Sequence, residues 1–244
     1  MKQVFLMICI SLAVLAAGNS LSAQSAQDAS DGNDEKLSLS VEVASGFVWR
    51  GISLNSTPVV QPAITFSPGN FSIGAWASTP FTPYEYQEFD IFAEYQISSS
   101  LSVGLVSYFD YSSSYFDFKK TRTGHAFDLM LMYGGSDNFP LRAMVSTIIA
   151  GADLNDKGKS NFSTYLELGY GNTTQKGMEW EVFTGFVPMK SGFYGLDGAN
   201  VINLGFGVTK SFDITPTYSL PLSLRLSVNP AYESIFFVAS IALF

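Results

Sequence analysis

The last eleven residues of the chain, SIFFVASIALF at positions 234–244, alternate along an extended strand and end on an aromatic residue. Phe236, Val238 and Phe244 share one apolar face, on which the small Ser240 is the single polar residue from Phe236 onward. A free strand edge pairs readily with other chains, whereas a closed barrel removes the edge by pairing its last strand with its first. The stretch therefore predicts a closed barrel. A terminal phenylalanine on such a strand is typical of proteins that the bacterial barrel-assembly machinery recognises, and Phe244 is the predicted assembly signal.

The first 23 residues have the layout of a secretory signal peptide. Lys2 precedes an uncharged apolar run, and small residues surround Ala23, after which we predict cleavage. Residues 24–36 are rich in Ser, Ala, Asp and Asn without periodicity, which predicts a flexible periplasmic leader. The predicted organisation is a signal peptide at 1–23, a leader at 24–36 and a single barrel at 37–244, located in the outer membrane of a bacterial cell.

The composition is unusual for a soluble domain. Charged residues make up 14% of the chain and aromatic residues 15%, whereas soluble domains carry about 25% charged residues. The only cysteine, Cys9, falls in the predicted signal peptide, so the mature chain has no thiolate for a metal site. The formal net charge of −8 argues against nucleic-acid binding. Beyond the signal peptide no apolar run reaches the roughly 18 residues of a transmembrane helix, so strands would have to meet the lipid.

From Leu37 onward, alternation of apolar and polar residues divides the chain into twelve segments of about the length with which a tilted strand crosses a bilayer, roughly 9 to 11 residues. The predicted strands are Leu37–Trp49, Val60–Ser67, Phe71–Thr79, Glu88–Ser98, Leu101–Tyr111, His125–Gly134, Leu141–Ala150, Phe162–Gly171, Met178–Val187, Val201–Lys210, Leu220–Asn229 and Ile235–Phe244. Short and long linkers alternate between them, except that Ser211–Ser219 is predicted to be long where a short turn is due. The fold class predicted is all-β, a single antiparallel transmembrane β-barrel of about 12 strands with both termini at one end.

A soluble β-sandwich or barrel would show the same alternation, with its apolar faces turned inward. Two observations favour the membrane barrel. The apolar faces of twelve segments exceed what one small sandwich core needs, and aromatic residues such as Trp49, Tyr95 and Tyr170 sit near strand ends, where an interfacial girdle places them.

Residues 46–66, GFVWRGISLNSTPVVQPAITF, and residues 71–78, FSIGAWAS, carry a recognisable pattern. The order is aromatic-x-x-R-G-x-S, then P-x-x-Q, then G-x-W-x-S. This block resembles the N-terminal region of the TorF-like porin family of exported bacterial proteins. The matching positions are Arg50, Gly51, Ser53, Pro58, Gln61, Gly74, Trp76 and Ser78.

The similarity continues more loosely through Glu88, Asp90 and Tyr95, through residues 165–171, and into Asn229 and Pro230. It implies an outer-membrane β-barrel with a channel role and says little about the substrate. Pro62 and Ala63 depart from the family pattern, and Pro62 cannot donate a ladder hydrogen bond, which predicts a local irregularity there.

Strand parity places most strand charges on the inward faces, since a lipid-facing charge costs about 2 to 4 kcal/mol at the bilayer midplane. The predicted lumen or constriction residues are Glu42, Glu88, Asp90, Glu94, Asp110, Asp128, Glu167, Glu179 and Glu181, together with Arg50, Arg142 and Arg225. One interpretation is a filled lumen, in which the arginines cross-link carboxylate clusters. The other is a narrow aqueous path whose negative field favours cations or neutral solutes. The sequence leaves both open.

Arg50 is the most informative of these residues, because it is predicted to end the first strand on the inward face just before Gly51. It could form a constriction or bind a ligand. The favoured interpretation is a structural anchor for acidic side chains on adjacent strands.

Catalytic candidates are few. Barrel hydrolases need a histidine beside a nucleophile or a carboxylate, and the chain has only His125, with Asp128 three residues on and Ser160 or Ser163 further along. In an extended strand His125 and Asp128 point to opposite sides. We therefore predict no enzyme activity and no catalytic residue.

The predicted outer loops offer two weak binding signals. Residues 153–158 resemble a calcium loop, but Lys157 stands where an oxygen ligand belongs, so no metal site and no cofactor is predicted. Lys119, Lys120 and Arg122, with Lys157 and Lys159, would face the phosphates of lipopolysaccharide, although a solvated loop tip is the favoured interpretation.

The leading functional hypothesis is a passive channel for small solutes, and cation preference is the secondary prediction. The alternative is a barrel with a closed lumen that has a structural or surface-interaction role, and a lipid-modifying enzyme ranks last. Expected partners are outer-membrane lipid, lipopolysaccharide, the assembly machinery and small solutes, without nucleic acid.

Overall fold

A computed structural model describes residues 36–136 and 138–243. The predicted signal peptide, nearly all of the predicted leader and the assembly signal Phe244 lie outside these residues. No described helix is long and apolar enough to span a membrane.

The described chain is built almost entirely from β-strands. They are β1 (Leu37–Ala44), β2 (Phe47–Trp49), β3 (Ile52–Asn55), β4 (Val59–Phe66), β5 (Phe71–Pro80), β6 (Glu88–Ser98), β7 (Leu101–Phe109), β8 (His125–Tyr133), β9 (Leu141–Gly151), β10 (Thr164–Thr173), β11 (Met178–Val187), β12 (Asn200–Thr215), β13 (Tyr218–Asn229) and β14 (Ser234–Ala242). One turn of 3-10 helix, Pro230–Tyr232, joins β13 to β14.

Twelve of these strands form a closed antiparallel barrel, and β2 and β3 form a separate hairpin. Neighbours in sequence are neighbours in the barrel, and β1 closes it by pairing with both β4 and β14. Glu42 lies opposite Ala242, and Ala44 lies opposite Ser240. The predictions of an all-β fold, of twelve strands and of pairing between the last strand and the first are confirmed.

Each barrel strand turns large apolar side chains outward. On every strand at least one such side chain is more than about a third exposed, so no other part of the described chain covers it. Examples in strand order are Leu39, Ile64, Ile73, Ile91, Leu105, Leu131, Val145, Leu168, Val182, Leu204, Leu226 and Phe237. On β14 the outward residues are Ile235 and Phe237, whereas Val238 and Ser240 are buried against the lumen. The barrel thus has a continuous apolar belt on its outside.

The inward faces are small or polar and alternate with that belt. Several inward glycines provide flat wall against which an aromatic ring from a neighbouring strand lies. A Cβ added at Gly185 would collide with the phenol of Tyr165, and one added at Gly205 would collide with the ring of Phe183. The inward glycines therefore leave the space that the aromatic side chains of neighbouring strands fill.

The prediction of one long first strand from Leu37 to Trp49 is wrong. The barrel strand β1 ends at Ala44, and the chain then turns back into the lumen as the hairpin of β2 and β3. Phe47 is 1% exposed and Trp49 6% exposed, so neither lies on the outer face, and Trp49 does not belong to an interfacial girdle. Alternation continues through both segments, and it is equally compatible with burial by protein and with burial by lipid.

The prediction of a long connection at Ser211–Ser219 is also wrong. Strand β12 continues to Thr215 and β13 begins at Tyr218, so only two residues join them. All connections at the end that holds Leu37 and Ala242 are then short, and we call this the turn end. The opposite end of the barrel carries the longer loops, and we call it the loop end. Near Pro62 the β4–β5 ladder skips two residues, as a missing N–H requires.

Candidate functional site

The hairpin formed by β2 and β3, residues 47–55, occupies the lumen at the loop end, and we call it the lumen hairpin. Trp49 pairs with Ile52, so Arg50 and Gly51 form its two-residue turn. Their φ angles are +48° and +78°, the left-handed pair that a type I′ turn requires. A glycine tolerates this region without strain, and an arginine held there marks a conformation that its surroundings enforce.

The tip of the lumen hairpin is seated against the part of the barrel wall formed by β12 and β13. A Cβ at Gly51 would overlap the carbonyl oxygen of Ile202, on β12. The side-chain amide of Asn229, at the end of β13, donates to the carbonyl of Gly51 at 2.8 Å. Only a residue without a side chain can approach this wall so closely, which accounts for Gly51 in the sequence motif.

Arg50 is fully enclosed and forms an ion pair with Asp128 on β8, with 2.8 Å between Nη2 and Oδ2. Its other terminal nitrogen donates to the hydroxyl of Tyr194 at 2.6 Å. The carboxylate of Asp128 also accepts from Ser146 on β9 at 2.7 Å and from Tyr108 on β7 at 3.2 Å. This network ties the lumen hairpin to three barrel strands and one loop.

Aromatic rings surround the network. The Trp49 and Tyr194 rings are stacked, with centroids 5.6 Å apart and planes 7° apart, and Tyr108 meets Trp49 edge-on. The guanidinium of Arg50 lies 4.6 Å from the Trp49 ring and 4.7 Å from the Tyr165 ring, both within cation–π range. The loop end of the lumen is therefore filled by packed protein.

The base of the hairpin packs on β5. The rings of Phe47 and Trp76 are 5.4 Å apart, and Gln61 donates to Ser78 at 3.3 Å across β4 and β5. The side chain of Ser53 donates within the hairpin to the carbonyl of Asn55 at 3.5 Å. The carbonyl of Pro58 accepts from the backbone N–H of Phe81, the residue after β5, at 3.0 Å. Gly74 leaves room for the ring of Phe92. The motif residues thus form the hairpin and its seat.

One side of the lumen hairpin faces carboxylates rather than cations. Glu88 and Asp90 are buried side by side on the inward face of β6, and Tyr86 donates to Glu88. Burial, and next the charge of Glu88, raise the pKa of Tyr86, so it remains a donor. Both amide atoms of Asn55, at the end of β3, and the indole N–H of Trp49 have no hydrogen-bond partner among the described residues. The lumen hairpin therefore buries polar atoms that the closed lumen does not satisfy.

Toward the turn end the lumen holds a second charged cluster. Glu181 on β11 accepts from Arg142 on β9 through one oxygen and from Arg225 on β13 through the other, the latter at 2.7 Å. The guanidinium of Arg225 lies 3.7 Å from the ring centroid of Phe183. The side chains of Arg142, Glu181 and Arg225 are 26%, 13% and 11% exposed. Unlike the Arg50 network, this cluster is open to water.

The remaining predicted lumen residues are spread along the walls. Glu167 accepts from Tyr165 and from Asn203, and Glu94 is buried on β6. Glu42 and Glu179 are half-buried on β1 and β11. Asp110 lies beyond the end of β7 and is exposed, so its predicted place on an inward strand face is wrong.

His125 lies on the outward side of β8, away from Asp128. Its ring bonds Ser107 Oγ at 2.8 Å and the carbonyl of Tyr115 at 2.7 Å. Ser163, one of the two serines considered as a nucleophile, hydrogen-bonds Asp153 and Ser191 instead. His125, Asp128 and Ser163 are therefore not brought together at one site. In the described part of the chain no group of three or more His, Cys, Asp or Glu side chains is placed to hold a metal ion.

Sequence reasoning missed Tyr194, which both stacks on the lumen hairpin and hydrogen-bonds Arg50. It comes from the loop between β11 and β12, which the alternation pattern does not describe. Tyr232, between β13 and β14, holds this loop by donating to the carbonyl of Tyr194 at 2.8 Å. No local signal in the sequence identifies a contact of this kind.

Comparison of the chain with family models and with curated proteins gave no match.

Proposed function

We propose that the protein is an outer-membrane β-barrel that passes small solutes through a lumen closed by the lumen hairpin in the described state. The observation that carries the membrane location is the apolar belt, to which all twelve barrel strands contribute exposed large side chains. A soluble protein seldom exposes a contiguous apolar patch larger than a few hundred Å². The hydrocarbon core of a bilayer covers such a belt, and a closed barrel leaves no unpaired strand edge within it.

The charge distribution supports the same location. Among the described strand residues, carboxylates and arginines lie on inward faces, and Lys210, the outward cation on β12, lies beside the turn end and donates to the carbonyl of Lys176. Charge inside and hydrocarbon outside is the pattern expected of a barrel in lipid. The resemblance of residues 46–78 to a porin family agrees with it.

The channel role rests on the difference between the two halves of the lumen. The turn half contains ionised side chains that water reaches, whereas the loop half is sealed by a separate hairpin that is not hydrogen-bonded into the barrel sheet. Because its backbone pairs with no barrel strand, the hairpin can leave the lumen without breaking the barrel sheet, once the side-chain contacts of Arg50 and the hydrogen bond from Asn229 to Gly51 are released. Solutes would then pass between the loop end and the turn end.

The unsatisfied polar atoms of the lumen hairpin make such a movement less costly. When the lumen hairpin leaves, water can reach the amide of Asn55 and the indole N–H of Trp49, which have no hydrogen-bond partner in the closed lumen. Hydrating a buried unsatisfied polar group recovers about 1 to 3 kcal/mol. This gain offsets part of the packing and the ion pair lost at Arg50.

A barrel with a permanently closed lumen is the second candidate, and a specific observation favours it. The ion pair of Arg50 with Asp128 is completely buried and is reinforced by the stacked Trp49 and Tyr194 rings. If these contacts never break, the hairpin acts as a fixed internal brace.

Planar-bilayer recordings separate the two candidates. The key variant replaces residues 45–58 by Asn-Gly, because Ala44 and Val59 are paired in the barrel and a two-residue type I′ turn connects such a pair directly. A matched control removes Asp156 and Lys157 from the exposed tip of another loop. Each protein is first shown to be folded and inserted by its heat-modifiable migration in gels.

The channel proposal predicts intermittent openings of the full chain, steady and larger conductance of the variant without the hairpin, and control behaviour like that of the full chain. A silent full chain with a conducting variant would establish the closed barrel instead. Silence of both would refute the channel. Reversal potentials measured in a salt gradient should indicate cation selectivity, because carboxylates on the inward faces outnumber the three inward arginines.

A further inference from the structure

The loop between β7 and β8, residues 110–124, lies against the outside of the barrel rather than over its lumen. The ring of Tyr115 contacts Phe89 on β6, Phe109 at the end of β7 and His125 at the start of β8, at centroid distances of 5.9, 5.0 and 4.9 Å. These three residues have outward parity, because their neighbours Asp90, Tyr108 and Ala126 face the lumen. The loop is therefore fixed across the outer wall at the loop end.

His125 holds the loop in this position. Its Nε2–H donates to the carbonyl of Tyr115 at 2.7 Å, and its Nδ1 shares a hydrogen bond with Ser107 Oγ at 2.8 Å. The ring of Phe118 stacks on the imidazole at 4.8 Å. Phe127 follows at 5.8 Å on the belt side. An unbroken row of rings thus leads from the apolar belt to the loop.

Beyond that row the loop presents an apolar residue and two cations to solvent. Phe116 is 83% exposed, and Lys119 and Lys120 are exposed. Asp117 is engaged within the loop, where it accepts from the backbone N–H of Lys119 at 3.1 Å and pairs with Arg122 at 2.9 Å. Among the described residues, no carboxylate pairs with the ammonium of either lysine. We call Phe116, Lys119 and Lys120 the loop patch.

We propose that the loop patch binds the phosphate headgroup of an anionic lipid that lies against the outer wall beside β6, β7 and β8. This inference rests on the proposed membrane location. Continuity with the apolar belt places the loop patch at headgroup depth, where aromatic rings are favoured and lysines meet phosphates. The exposed ring of Phe116 enters the acyl boundary, and the two ammonium groups supply charge that the loop itself does not neutralise.

The test uses the full chain in nanodiscs of phosphatidylcholine mixed with phosphatidylglycerol, with native mass spectrometry of retained lipid. The variant is Lys119→Gln with Lys120→Gln, and the matched control is Lys157→Gln with Lys159→Gln, which removes the same charge from another loop. Each lysine near an anionic surface contributes enough for about a five-fold change in affinity, so the double variant should bind phosphatidylglycerol about 30-fold more weakly. The control should retain wild-type preference, and Phe116→Ser should weaken retention of both lipids.

The outcomes separate this inference from the proposed function. A chain that inserts normally but shows no preference for phosphatidylglycerol, or a control that loses as much as the variant, overturns the loop patch and leaves the membrane barrel standing. A chain that does not insert at all refutes both. Soluble glycerol phosphate added as competitor should not displace the lipid; displacement at low concentration would show a site for a free anion and overturn the lipid assignment.

Discussion

Replacing Arg50 by Met tests whether a buried ion pair anchors the lumen hairpin. Methionine keeps most of the length and apolar character of the arginine stem but removes the charge and every donor. Asp128 would then stay enclosed without its cationic partner, with only Ser146 and Tyr108 donating to it. Arg50 and Asp128 are 2% and 0% exposed, so solvent cannot replace the lost partner without opening the structure.

The size of the effect follows from that burial. Removing one member of a buried ion pair destabilises a protein by about 3 to 5 kcal/mol, because the other charge is left uncompensated. The two remaining hydroxyl donors on Asp128 reduce this penalty, whereas the lost cation–π contacts with Trp49 and Tyr165 increase it by about 0.5 to 2 kcal/mol each. We expect the free energy of unfolding to fall by about 4 kcal/mol.

The assay is urea unfolding of the reconstituted barrel, followed by tryptophan fluorescence. Arg122→Met is the control, because Arg122 pairs with Asp117 at a comparable distance of 2.9 Å but is 60% exposed, and an exposed pair contributes about 0 to 1 kcal/mol. Arg50→Met combined with Asp128→Leu should recover more than about 1.5 kcal/mol relative to the sum of the single changes. An Arg50→Met variant that is no less stable than Arg122→Met would refute the anchoring argument.

Two further changes probe other parts of the lumen. Gly51→Ala should displace the tip of the lumen hairpin, because the added methyl group overlaps the carbonyl of Ile202 at a φ of +78°; it should raise open probability in bilayer recordings, and unchanged gating would count against a seated tip. Glu181→Gln should remove the shared partner of Arg142 and Arg225, shift the reversal potential toward anion selectivity and leave the barrel folded; a reversal potential equal to wild type would show that this cluster does not face the conducting path.

The barrel itself was predictable from the sequence because its determinants are local. Alternation with a period of two defines a strand and its two faces whatever the strand pairs with. The segments Glu88–Ser98 and Met178–Val187 therefore have the same bounds in the prediction and in the structure. Two errors, at Trp49 and at Ser211–Ser219, concern where a strand stops, and strand ends depend on neighbouring strands as much as on their own residues.

The site was predictable only in part. Parity identified Asp128 and Glu181 as inward residues, and the motif drew attention to Arg50. The partner of Arg50 was expected on an adjacent strand, but Asp128 lies 78 residues away in sequence on the far side of the lumen. Tyr194, from a loop without periodicity, could not have been found.

The sequence by itself determined an all-β chain of alternating segments, the side on which charges lie, and the pairing of the two ends that the strand at residues 234–244 anticipates. Each of these follows from the two-residue period of an extended chain. Only the tertiary structure decided that Phe47 and Trp49 leave the wall and fill the lumen. The physical reason is that an apolar face shows only that its side chains must be shielded from water. The closure of the barrel determines whether protein or lipid covers them.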